Sequence, residues 1–132
     1  MSRILIALIT AALAGCTTSL VPLNQAKATP AEHIHTTTHT TPVAGSQSIT
    51  LVRNAGALFA AGTRLDVFVD GELTAELATS EALRLYLPAG EHLLTTKIAG
   101  QVATVAVTVP SKFTIYRIDV NDEYVKLQPS AD

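Results

Sequence analysis

Over residues 48–128 the apolar side chains recur at every second position, in short runs separated by turn residues. A period of two puts alternate side chains on opposite faces of an extended strand, and a helix would scatter the same row around its axis. Leu65, Val67 and Val69 alternate with Arg64, Asp66 and Asp70, and Phe68 shares the charged side. Asp70-Gly71 follows, a dipeptide that accepts the positive φ angles of a tight hairpin turn. Leu73, Ala75 and Leu77 then alternate with Glu72, Thr74 and Glu76 on the returning strand. Leu83, Leu85 and Leu87 alternate with Arg84 and Tyr86, and Pro88-Ala89-Gly90 ends that run. Further strands are expected over 92–98, 104–109, 113–120 and 124–128, with Ala99-Gly100 and Asn121-Asp122 as turns. With residues 49–53 added, the spacing predicts an all-β fold, a small antiparallel β-sandwich of about 7–8 strands. Ser80-Glu81-Ala82-Leu83 also reads as the start of a short helix with Ser80 as N-cap, but the clean alternation of Leu83, Leu85 and Leu87 favours a strand. Residues 54–62, rich in Ala and Gly, are expected to form a loop that buries small groups around Leu58 and Phe59.

The amino terminus has a different grammar. Arg3 supplies one positive charge, residues 4–14 are apolar apart from Thr10, and small residues close the run. This is the layout of a secretory signal peptide. As a helix it spans about 17 Å at ~1.5 Å per residue, short of a bilayer core of about 30 Å. Leu13-Ala14-Gly15-Cys16 ends it, and Cys16 is the only cysteine. These four residues resemble the lipobox of bacterial lipoproteins. The resemblance implies a signal peptide over 1–15, diacylglyceryl transfer to the Cys16 thiol, cleavage before Cys16 and acylation (palmitate-type) of the new amino terminus. Two or more acyl chains give stable anchoring. In that family an aspartate after the cysteine commonly marks inner-membrane retention; Thr17 stands there, so the outer membrane is favoured. With no second cysteine, no intramolecular disulfide forms.

Residues 16–47 are read as a lipidated amino terminus followed by a disordered linker. Threonine dominates (Thr36, Thr37, Thr38, Thr40, Thr41), prolines 22, 30 and 42 are spaced through it, and large apolar residues show no period. Such a stretch buries too little to offset the entropy of ordering, and O-glycosylation or contact with peptidoglycan fits its composition. Within it, His33, His35 and His39 form a run that either catches a late transition metal, with Glu32 adding a carboxylate, or stays solvated as polar spacer.

Three segments of the sandwich region carry a second resemblance. Residues 66–72 read Asp-Val-Phe-Val-Asp-Gly-Glu, residues 83–87 form an apolar strand, and residues 88–92 read Pro-Ala-Gly-Glu-His. Together these resemble PEGA-like small β-sandwich domains of bacterial envelope proteins, over roughly residues 48–110. What the resemblance implies is a fold and a location: an envelope binding or scaffold module.

Catalytic chemistry is not expected. His92 is the sole histidine of the sandwich region, and Ser80 or Ser111 with His92 lacks the strained elbow that would present a nucleophile. No zinc-protease, redox, phosphate-loop or dinucleotide motif occurs, so neither catalytic residues nor a cofactor are assigned. Nine basic and eleven acidic residues leave a net charge of −2, with no basic stripe for nucleic acid. Binding is the expected activity. Its candidate surface is the polar strand face with Arg64, Asp66 and Phe68, and a second pair at Arg84 and Tyr86. Phe68 is either an exposed contact residue or is packed beneath a neighbouring segment. The expected partner is another envelope protein or a cell-wall glycan, met by a protein anchored in the membrane.

Overall fold

The structure is a computed structural model and describes residues 19–56 and 62–131. Cys16 and its leader lie outside the described residues, as do Leu58 and Phe59. The described residues hold nine strands: β1 (Lys27–Ala28), β2 (Gln47–Arg53), β3 (Leu65–Val69), β4 (Glu72–Leu77), β5 (Glu81–Leu87), β6 (Gly90–Ile98), β7 (Gln101–Val109), β8 (Ile115–Val120) and β9 (Val125–Ser130). They form one sheet in the order β1-β5-β2-β8-β9 and another in the order β4-β3-β6-β7. The all-β sandwich expectation holds. Its pairings are mostly antiparallel, although β1 with β5 and β2 with β8 run parallel.

Alternation makes the core. Ile49 and Leu51 of β2, Leu83, Leu85 and Leu87 of β5, and Tyr116, Ile118 and Val120 of β8 face Leu65, Val67, Val69, Leu94 and Val107 from the other sheet, all in one buried cluster. Each large apolar side chain so buried stabilises the fold by about 1.5–3 kcal/mol. Asp70 and Gly71 close the β3–β4 hairpin with φ of 50° and 83°, as their sequence demands. Ala99 and Gly100 do the same between β6 and β7, with φ of 49° and 78°.

Two local expectations change, and one open choice is settled. The β3–β4 register jumps from Val67↔Ala75 to Phe68↔Leu73, so Thr74 is an extra residue in a bulge. A bulge re-aims the side chains beyond it: Leu73, expected inside, is exposed beside Phe68, and Thr74 is fully buried. Residues 81–83 belong to strand β5, as the alternation of Leu83, Leu85 and Leu87 favoured, and Ser80, at φ 66°, sits in the turn that precedes it. The last strand runs on to Ser130, past the expected end at Gln128.

The largest correction concerns residues 19–46, read from composition as a disordered linker. They lie along the sandwich, held mainly through main-chain groups. The Ser19 N–H donates to Ala55 O at 2.7 Å. Strand β1 pairs with β5, the Lys27 N–H donating to Ser80 O and the Thr29 N–H to Ala82 O. Ile34 bridges Ala75, and the His35 N–H donates to Thr74 O at 2.8 Å. Further on, the Tyr86 N–H donates to His39 O at 2.7 Å. Strands β4 and β5 would otherwise be open sheet edges, whose unpaired main-chain groups invite unwanted pairing. The leading segment covers both. A Thr/Pro-rich chain can do this because edge pairing uses the backbone and asks nothing of the side chains.

Candidate functional site

The β3–β4 turn, the start of β6 and the leading segment bring three titratable side chains together. Asp70 is held at the turn by its own N–H, which donates to Leu93 O at 2.8 Å, while its Oδ1 accepts the Leu93 N–H at 2.8 Å. His92 enters β6 just after the Pro88-Ala89-Gly90 turn and is buried. Its Nδ1 lies 2.7 Å from Asp70 Oδ2, and its Nε2 lies 2.8 Å from Pro88 O. His39 arrives from a threonine turn in which the Thr40 hydroxyl donates to Thr36 O at 3.1 Å and the Thr38 N–H donates to the Thr36 hydroxyl. Its ring meets that of His92 edge-on, with centroids 6.0 Å apart. Ligand atoms of His39, Asp70 and His92 all lie within 4.8 Å of one another.

Both nitrogens of His92 face acceptors, so hydrogen bonding at both requires the imidazolium. Burial alone would push the His92 pKa down; the hydrogen bonds to Asp70 and Pro88 O and the Asp70 charge outweigh it, and the pKa is raised above its ordinary 6.5. Burial likewise pushes Asp70 up, but hydrogen bonds from His92 and the Leu93 N–H, with the charges of His92 and His39, hold it below its ordinary 3.8.

A pH dependence follows. The His92 contribution to stability is full below pH 6.5 and is lost as pH rises through its raised folded value. The Asp70 contribution is full above pH 3.8 and is lost as pH falls through its lowered folded value. Together they stabilise most in the mildly acidic window between those limits. Asp70 is 41% exposed, so solvent screening holds the pair to about 1 kcal/mol. In chelator-treated protein, His92→Gln should lower urea resistance near pH 5.5 and change it much less near pH 9. An equal loss at both pH values would show that the ion pair contributes nothing.

The other sequence-predicted residues are distributed over the two sheets. Arg64 grips Glu81 at 3.2 and 3.4 Å and donates to Glu76 O, so its guanidinium is committed within the domain. Asp66 is half-buried opposite Glu76; burial and the Glu76 charge raise its pKa, with His35 and Lys97 acting against them. Phe68 is half-buried on the outer face with Lys97 Nζ 4.8 Å above its ring, between the two readings the sequence left open. Arg84 is exposed and Tyr86 half-buried on β5, in the opposite sheet, so the two candidate pairs do not share a surface. The three leading-segment histidines do not converge either. His35 Nε2 meets Glu76 at 2.8 Å and His33 Nδ1 lies 3.9 Å from the same carboxylate, whereas His39 joins Asp70 and His92. Ser111 donates its hydroxyl to Phe113 O at 2.8 Å.

The sequence placed His39 in a different trio, offered His92 only as a partner for Ser80 or Ser111, and set Asp70 in a turn beside the polar strand face, so it did not bring these three residues together. One signal was available: Asp70 and His92 belong to the two short motifs that stand out in the chain. Compared with known proteins, this chain matches no protein-family model, no curated protein and no solved structure.

Proposed function

We propose that this protein is a lipid-anchored lipoprotein of the bacterial cell envelope, with a non-catalytic, PEGA-like β-sandwich that binds another envelope protein or a cell-wall glycan close to the membrane. The observation that carries the reading is the position of Ser19. It is bonded to the sandwich at Ala55 and follows the lipobox-like Cys16 by three residues, an extended reach of about 10 Å. An acyl anchor at Cys16 therefore holds the domain against the membrane surface and not at the end of a long tether. Exposed Leu20 and Leu23 lie at this same end.

The contact face is the outer surface of the β4-β3-β6-β7 sheet. There Phe68, Leu73, Leu93 and Val102 offer apolar groups among threonines and Lys97, the mixture that contact surfaces use. The engagement of both His92 nitrogens and of the Ser111 hydroxyl supports a role without catalysis.

One experiment tests both halves: a photoreactive residue at position 68, expressed in the original and the Cys16→Ser backgrounds with an alkyne palmitate. The original should take up the label, fractionate with membranes and give a recurrent adduct; Cys16→Ser should lose the label and become soluble. An unlabelled, soluble original overturns the anchor. A labelled protein with no adduct at position 68 overturns the contact face.

A further inference from the structure

We propose that His39, Asp70 and His92 form a binding site for one divalent late transition-metal ion of the zinc and copper class. The site is independent of the anchoring at Cys16. Three observations converge on it. The first is proximity: one nitrogen from each imidazole and one carboxylate oxygen lie within 4.8 Å of one another. A tetrahedral ion with bonds of about 2.0–2.1 Å needs its ligand atoms roughly 3.3 Å apart, so the three groups need to close by no more than about 1.5 Å to hold one.

The second is the arrangement behind the ligands. His92 Nε2 is held on Pro88 O, which leaves Nδ1 as the atom that takes a metal in exchange for the proton it shares with Asp70. Asp70 Oδ1 is held by the Leu93 N–H, which leaves Oδ2 for the ion. A ligating imidazole whose other nitrogen donates to a main-chain carbonyl, beside a carboxylate fixed by a hydrogen bond, is the usual outer shell of a metal site.

The third is His39. Its Nδ1 is buried without a hydrogen-bond partner, a state that native interiors generally avoid. The residue is fixed through its carbonyl, which accepts the Tyr86 N–H, and its half-buried ring packs edge-on against that of His92. A cavity of about 290 Å³ adjoins it, lined by His39, Val43, Gly45, Tyr86 and Pro88 among others, with room for a water as fourth ligand. Two imidazoles and one carboxylate suit zinc, copper or nickel over magnesium or calcium, and copper binds most tightly in the general order of divalent ions. A bound ion would also fasten the leading segment to the sandwich, because His39 belongs to the first and Asp70 and His92 to the second.

The test uses the full-length protein in detergent micelles, stripped with a chelator and titrated separately with Zn²⁺ and Cu²⁺. One ion per chain should survive desalting, and the copper form should show two nitrogen ligands in its paramagnetic resonance spectrum. His39→Ala leaves the Asp70–His92 pair in place and should weaken binding at least about 100-fold, the upper end of what losing an outer-shell partner costs. His39→Gln gives a second variant of closer size and should do the same. A His33→Ala/His35→Ala double variant should bind as the original does. No retained ion in the original, or binding lost with His33 and His35 and kept in both His39 variants, overturns the site.

Discussion

Glu81→Ala should destabilise the sandwich by about 3–5 kcal/mol, the cost of taking one partner from a buried ion pair. For a domain of this size that is a fall in Tm on the order of 20 °C. Glu81 is buried at the start of β5. Its carboxylate receives both guanidinium nitrogens of Arg64 and the Ala78 N–H, the latter at 2.9 Å. Beside it, the buried Arg53 reaches from β2 across to the other sheet, donating to Leu77 O at 2.9 Å and to Thr63 O at 2.7 Å. Burial pushes the Arg53 pKa down, the Glu81 charge raises it, and Arg64 lowers it again. Without the Glu81 carboxylate, two cations face each other at the end of the core. Glu81→Gln keeps an acceptor for the Ala78 N–H and should lose about half as much. Thermal unfolding of both variants checks the account; a Glu81→Ala protein within about 1 kcal/mol of the original would mean that water, and not this carboxylate, balances the arginines.

Arg117→Met should release residues 19–26 from the sandwich at a cost of about 3 kcal/mol, the worth of two charged hydrogen bonds. Arg117 lies on β8, where Tyr116, Ile118 and Val120 point into the core, so its side chain leaves the opposite face of the sheet. There Nη1 donates to Val21 O at 2.7 Å and to Asn54 Oδ1 at 2.9 Å. Asn54 Oδ1 also accepts the Val21 N–H, and Asn54 Nδ2 donates to Asp119 Oδ1. Val21 and Val52 are buried by this overlap, outside the main core cluster. Methionine keeps much of the apolar stem and removes the donors. Hydrogen exchange at the Ser19 and Val21 amides should speed up by at least about tenfold, the equivalent of 1.4 kcal/mol, while the β2 and β5 amides stay protected. Unchanged exchange at Ser19 would show that the main chain alone holds the segment. With β1 still paired to β5, the freed stretch between Cys16 and Lys27 is about ten residues with a typical reach of roughly 18 Å, so this one arginine would set how close the domain stays to the anchor proposed at Cys16.

The two sheets were legible because alternation is a local property. Leu83, Leu85 and Leu87 declare a buried face whichever strand lies opposite, and Asp70-Gly71 declares a hairpin from the φ angles those two residues tolerate. Thr74 shows where this reasoning stops. Nothing in Leu73-Thr74-Ala75 reveals the extra residue of a bulge, since the register against Phe68 is set by the partner strand. Nothing in the sequence singles out Glu81 or Arg117; burial by other segments made them structural. The leading segment is the clearest case. Its threonines and prolines rule out a core of its own, and they say nothing about main-chain groups that an open strand edge can accept.

The amino-acid sequence by itself determined the all-β class and most of the strand positions, because both rest on neighbouring residues and the periodicity of one chain. The tertiary structure alone decided that residues 19–46 cover the edges of β4 and β5, that Glu81 sits between two arginines, and that His39 leaves His33 and His35 to meet Asp70 and His92. Those outcomes depend on backbone groups that composition does not describe and on residues far apart in the chain, which come together only when the two sheets close on their core.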